Sequence, residues 1–91
     1  MDLAQARTEF LAYVAVERGL SVNTLDAYTR DLEGYLLWLN GKKITLPNQV
    51  TRSDVEEYIG SLRDLGMAPA SVERHTAALR NFHKFMAVEQ I

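Results

Sequence analysis

Apolar residues recur every three or four positions along four stretches of this 91-residue chain, and no stretch alternates apolar with polar residues as a β-strand would. This period is that of an amphipathic α-helix with one buried stripe. The spacing predicts four helices, over residues 2–18, 22–39, 52–65 and 69–88. We therefore expect an all-α fold in the form of a four-helix bundle.

Residues that start or stop helices stand at the ends of these stretches. Ser21 and Thr51 are suited to the N-cap position, and Asp54, three residues after Thr51, completes a capping box. Gly19 and Gly66 are predicted to stop the first and third helices, because glycine adopts the left-handed conformation there without strain. Asn-Gly at positions 40–41 is expected to end the second helix.

We predict one domain, residues 1–91, because a chain of 91 residues is long enough for one domain and too short for two. Its core is expected to contain Phe10, Leu25, Leu32, Leu36, Leu79 and Phe82. Three further apolar residues lie away from the main stripe of the first helix, namely Ala12, Ala15 and Val16. They indicate either a broader buried face or a contact with another protomer.

Composition excludes several classes of protein. The chain has no cysteine, which excludes disulfides and thiolate metal sites and suits a reducing cytoplasm. No stretch approaches the roughly 20 apolar residues of a membrane span, and the N-terminus lacks the basic and apolar regions of a secretory signal. We therefore expect a cytoplasmic protein that does not contact membranes.

Residues that could carry chemistry are interpreted as structural. Tyr28 flanks the apolar stripe of the second helix, with no set of basic groups beside it for phosphoryl transfer. His75 and His83 are eight positions apart, whereas metal-binding pairs on a helix prefer a separation of four. The sequence predicts no catalytic residue, no metal and no cofactor in this chain.

Charge becomes informative when it is assigned to helix faces. The net charge of −2, which is summed over the whole chain, counts against nucleic-acid binding. DNA responds, however, to the charge of the protein face that it meets. The outward side of the second helix is predicted to carry Asn23, Ala27, Arg30 and Gly34. The outward side of the fourth helix is predicted to carry Arg74, Ala77, Arg80, Asn81 and Lys84, with one acid, Glu73. Most of the other acids are placed on the first and third helices. Cations, amides and small residues are what a helix needs to approach a DNA groove.

Three stretches have an order and spacing characteristic of one family. They are the run from Glu17 to Thr24 followed by Tyr28, Arg30, Asp31 and Leu32, the run from Thr51 to Val55 with Tyr58, and the run from Ser71 to Phe85 with Arg74, Ala78, Leu79, Arg80 and Phe82. Together they resemble the core-binding domain of XerC/XerD-type tyrosine recombinases and related phage integrases. The resemblance covers essentially the whole chain, although no single motif is specific.

The resemblance implies a SAM-like bundle of four helices that forms half of a C-shaped clamp on duplex DNA. In this family the second and fourth helices lie against the major groove. A separate, later domain supplies the arginines, lysine, histidines and tyrosine nucleophile of the active site, and nothing in this sequence supplies that set. The resemblance thus implies a DNA-binding domain that is not itself an enzyme, taken from a recombinase whose protomers assemble as tetramers on DNA. The isolated domain is expected to be monomeric.

The residues predicted to touch DNA are Asn23, Thr24, Arg30, Ser71, Arg74, Arg80 and Lys84. Thr24 and Ser71 stand near helix starts, where backbone N–H groups favour phosphate oxygens. For Arg80 an ion pair with Asp31 between helices is an open alternative, and Asp31 itself is expected to be paired rather than to face DNA.

The sequence departs from the family pattern at two points. Ala68 precedes the proline of the fourth helix where the family often has serine, so this cap is expected to be weaker by about 1 kcal/mol. The negative net charge predicts weak DNA affinity for this domain alone.

The alternative function for this chain is that of a helical protein–protein interaction module. A DNA-binding domain should present its cations on one face, whereas an interaction module should present an apolar patch.

Overall fold

The computed structural model describes all residues from 1 to 91 and contains four α-helices with no strand. They are α1 (Leu3–Val16), α2 (Val22–Gly41), α3 (Arg52–Asp64) and α4 (Pro69–Val88), with a short 3-10 turn at Pro47–Gln49 between α2 and α3. The predicted all-α, four-helix fold is confirmed. None of the helices is both long and apolar enough to cross a membrane.

The predicted N-terminal caps of α2 and α3 are confirmed. The Ser21 hydroxyl accepts a hydrogen bond from the backbone N–H of Thr24 (3.2 Å). Thr51 and Asp54 form the reciprocal capping box, in which each side chain accepts from the other residue's backbone N–H. These bonds satisfy backbone donors that have no partner within the helix.

The predicted end of α2 was wrong by two residues. The helix continues through Gly41 and stops in a Schellman motif, in which Ile44 donates to the Leu39 carbonyl and Lys43 donates to the Asn40 carbonyl, both at 2.9 Å. The left-handed residue of this motif is Lys43, with φ of 63°, rather than Gly41. Ile44 packs against the core, which fixes the turn at this position.

The start of α4 lacks a side-chain cap, as predicted. Ala68 has the extended conformation of an N-cap residue but no side chain that can accept a hydrogen bond. Ala68→Ser should therefore raise the free energy of unfolding by about 1 kcal/mol, measured by urea denaturation. Ser21→Ala is the matched control and should lower it by a similar amount. If Ser21→Ala lowers stability while Ala68→Ser leaves it unchanged, the missing cap is not a weakness of this fold.

The core draws on all four helices, and most of its predicted members are confirmed. Phe10, Leu32, Leu79 and Phe82 are buried to 1% exposure or less, and the Phe10 and Phe82 rings lie 5.5 Å apart. Leu25 and Leu36 lie only at the edge of the core, partly buried. α2 instead turns Tyr35 and Leu39 fully inward, where the Tyr35 ring packs on the ring of Tyr58.

The broader buried face considered for α1 is present only in part, because Ala15 is half-buried while the other two residues are exposed. Ala12 is exposed, and Val16 is 79% exposed. The helix is buried only along Leu3, Ala6, Phe10 and Val14. An apolar strip at the end of α1 therefore remains uncovered in the single chain.

Candidate nucleic-acid interface

α4 is the only helix whose basic residues outnumber its acidic ones. It holds Arg74, Arg80 and Lys84 against the single acid Glu73. All four of these side chains are exposed, and no ion pair involves Arg80 or Lys84. The outward face of α4 thus carries free positive charge that an anionic partner can neutralise.

The predicted residues of α2 are less uniform. Asn23 and Arg30 are exposed, and Arg30 makes no ion pair. Thr24 is half-buried and its hydroxyl accepts a hydrogen bond from Ser21 (2.9 Å), so it is part of the helix cap. The exposed acids Asp26 and Glu33 lie on the same helix as its single cation Arg30, so the exposed charge of α2 is negative overall.

An ion pair between a buried carboxylate and a half-exposed guanidinium joins α2 to α4. Asp31 is 3% exposed, and its carboxylate accepts from Nε of Arg74 at 2.9 Å and from Nη2 of Arg74 at 3.0 Å. His75 Nε2 lies 3.2 Å from the same carboxylate. The hydrogen bonds to Asp31 raise the pKa of Arg74, which keeps its guanidinium charged. Asp31 is therefore paired, as expected.

The partner considered for Asp31 was wrong, because Arg74 rather than Arg80 binds it. Arg80 lies six positions further along α4, about 120° away around the helix. It borders a groove between α3 and α4 that Ile59 and His83 also line. A signal was available in the sequence, since Asp31 lies one helical turn from both Tyr28 and Tyr35, at the edge of the apolar stripe, where a buried carboxylate requires a cationic partner.

The small residues of α2 do not lie on an open surface, which corrects a second expectation. Gly34 is half-buried, and a methyl group in place of its hydrogen would approach the Tyr58 hydroxyl oxygen to 3.2 Å. Ala27 is half-buried as well. Gly34 thus permits the close packing of α3 against α2.

Other residues singled out by the sequence have structural contacts. Tyr28 is partly buried against the core. The His83 Nε2 atom forms a hydrogen bond with the Tyr35 hydroxyl (2.8 Å), a second polar link between α2 and α4. Lys42 binds Asp54 and Glu57 of α3 at 3.2 and 2.8 Å. Ser71 is half-buried in the first turn of α4.

Comparison with known families identifies the bundle. The family model for the N-terminal SAM-like domain of phage integrases matches residues 8–90. The chain belongs to this family. The architecture of this SAM-like domain is the one that the resemblance implied. It is an all-α bundle of four helices, and its longest helices, α2 and α4, pack together.

Curated relatives of the SAM-like domain are tyrosine recombinases named XerD. The protein from Oceanobacillus iheyensis is 37% identical over 90 residues, which cover 98% of this chain and 30% of the relative. Those from Listeria monocytogenes and Bifidobacterium longum are 40% and 39% identical, covering 86% and 85% of this chain and 27% and 25% of the relatives. The chain thus spans less than a third of the length of these relatives. No solved structure matches it.

Two histidines of the SAM-like domain should make its stability depend on pH. Burial lowers the pKa of His83, and burial is also the main cause that lowers the pKa of His75. The unfolded chain, with histidine pKa values of about 6.5, then binds more protons than the folded one. Stability is fully present above that pH and falls as the pH drops toward the folded pKa values, by at most about 1.4 kcal/mol per pH unit for each histidine.

The measurement is the free energy of unfolding in urea at neutral pH and at about pH 5.5, where carboxylates contribute little. His83→Gln should flatten the pH dependence because it removes one of the two titrating groups. A pH dependence that is equally steep in this variant would show that His83 does not contribute to it.

Proposed function

We propose that this domain binds duplex DNA through the outward face of α4 and the first half of α2. The contacting residues are Asn23, Thr24, Arg30, Ser71, Arg74, Arg80 and Lys84. The observation that carries the proposal is the charge of α4, whose cations Arg80 and Lys84 are exposed and unpaired. Unpaired cations on one helix face displace the small cations that are condensed on DNA phosphates. The release of these counterions drives non-specific DNA binding.

The domain would serve a tyrosine recombinase that breaks and rejoins DNA at specific sites in the cytoplasm. This rests on the similarity of the chain to tyrosine recombinases named XerD and on the shared SAM-like family. The catalytic residues would lie in a part of the protein outside this chain, and the domain alone would bind DNA as a monomer without cleaving it. Sister protomers on DNA would be its protein partners.

An NMR titration with a mixed-sequence DNA duplex of about two helical turns tests the proposal. Amide shifts should cluster at the start of α2 and along Ser71 to Lys84, and they should fade as salt rises. Lys84→Ala should weaken binding and reduce the slope of log affinity against log salt by about 1. Because the whole chain has a net charge of −2, binding should be weak.

The matched control is Lys43→Asn, which removes an exposed cation without an ion pair in the turn after α2, at the opposite end of this helix from Asn23. It should leave the affinity for the duplex nearly unchanged. If the shifts fall on α1 and α3, or do not respond to salt, the DNA-binding proposal is lost.

A second candidate, a protein–protein interaction module, has its own structural support. A groove of about 370 Å³ lies between the start of α1 and the end of α2, lined by Leu3, Leu36, Leu37 and Ile44. Leu37 is 65% exposed there. Chemical shift changes in this groove as the concentration of the chain alone is raised would favour this candidate.

A further inference from the structure

We propose that Asp31 is a positioning residue for DNA recognition, which holds the Arg74 guanidinium in a fixed orientation with one edge free for DNA. The inference rests on the proposed function, since it assigns a role within the same surface. Asp31 touches no DNA in this arrangement and acts only through Arg74.

The geometry of the pair leaves the outer part of Arg74 available. An arginine has five N–H donors, and the hydrogen bonds to Asp31 use one on Nε and one on Nη2. The two donors of Nη1 and the second donor of Nη2 remain. The second donor of Nη2 and one donor of Nη1 form the end-on edge of the guanidinium, which can bind a phosphate or the O6 and N7 atoms of guanine bidentately.

Burial supports the division of roles between the two residues. The Asp31 side chain is 3% exposed, whereas that of Arg74 is 43% exposed. The carboxylate thus cannot reach a ligand, while the guanidinium extends from it to the surface. No side chain other than Asp31 binds Arg74, so the outward edge has no competing partner in the chain.

A second contact fixes the carboxylate. The His75 Nε2 atom lies 3.2 Å from Oδ1 of Asp31, an electrostatic contact that adds to the two hydrogen bonds from Arg74. Asp31 therefore contacts two consecutive residues of α4, and both of its carboxylate oxygens accept hydrogen bonds from Arg74.

Simple electrostatics and positioning predict opposite effects for Asp31→Asn. The substitution removes a negative charge close to the DNA face, so charge alone would strengthen binding. If Asp31 positions Arg74, its loss frees the guanidinium and weakens binding to a mixed-sequence duplex by about three- to tenfold. Asp26→Asn is the matched control, since Asp26 is an exposed acid of the same helix without an ion pair. It should strengthen binding by up to about threefold.

The experiment combines these affinities with the NMR signals of the Arg74 side chain in the unaltered protein. The Nε–H signal should keep its position when the duplex is added, because the bond to Asp31 persists, while the Nη signals shift. An Nε–H signal that moves to the position of a free arginine would overturn the proposal. So would an Asp31→Asn variant that binds as tightly as Asp26→Asn.

The outcomes separate this inference from the proposed function. If α4 amides shift with the duplex but the Arg74 Nη signals do not, DNA binding stands and the positioning role is wrong. If no α4 signal shifts, the DNA-binding proposal itself fails. Should Asp31→Asn not fold, the Arg74 signals of the unaltered protein decide the question alone.

Discussion

Replacing Leu32 by alanine should lower the free energy of unfolding by about 2–5 kcal/mol. Leu32 is fully buried in the middle of α2, and it belongs to the core to which all four helices contribute. Truncation removes apolar burial and leaves a cavity that the tightly packed neighbours can fill only in part. Such a loss is a large fraction of the total stability of a domain of this size, so urea melts should show a strongly lowered midpoint.

Leu37→Ala is the matched control for this prediction. It makes the same chemical change on the same helix at a side chain that is 65% exposed. It should alter stability by no more than about 0.5 kcal/mol. A loss under about 1 kcal/mol for Leu32→Ala, or equal losses in the two variants, would contradict the burial of α2 described above.

Arg74→Ala should lower the free energy of unfolding by about 2–3 kcal/mol. The variant leaves the Asp31 carboxylate buried with only His75 as a partner. Breaking a fully buried pair costs about 3–5 kcal/mol, and the value here is smaller because the half-exposed Arg74 site lets water reach the carboxylate once the side chain is removed. Arg74 also lowers the pKa of His75, so this pKa should rise in the variant.

A double-mutant cycle checks this assignment. In a chain that already carries Asp31→Asn, the Arg74→Ala change should cost less than about 1 kcal/mol, because no buried charge is then abandoned. If Arg74→Ala costs the same in both backgrounds, the pair contributes nothing to folding. The cycle also shows how much of any loss in DNA binding by Arg74→Ala reflects a weakened fold.

The sequence alone determined the features that depend on interactions within a few residues. The helical period, the caps at Ser21 and Thr51 and the missing cap at Ala68 are local, because each involves residues at most four positions apart. Core members such as Phe10 and Phe82 follow from the same periodicity. The end of α2 was misplaced because Ile44 packs into the core, which selects Lys43 instead of Gly41 as the left-handed residue.

The tertiary structure decided which residues of different helices meet. The apolar stripe of α2 is broad, and the sequence placed Leu25 and Leu36 in the core, whereas Tyr35 and Leu39 are the residues that lie deepest. The rotation of α2 against α3 and α4 settled this, since it gives the Tyr35 hydroxyl a partner in His83.

That rotation also selected the partner of Asp31. Residues 43 positions apart share no local signal, and a rotation of α4 by one residue, about 100°, would carry Arg74 away from the carboxylate. The sequence could show that Asp31 needed a cation. Only the packing of α4 on α2 determined that the cation is Arg74, one of the side chains that we propose to contact DNA.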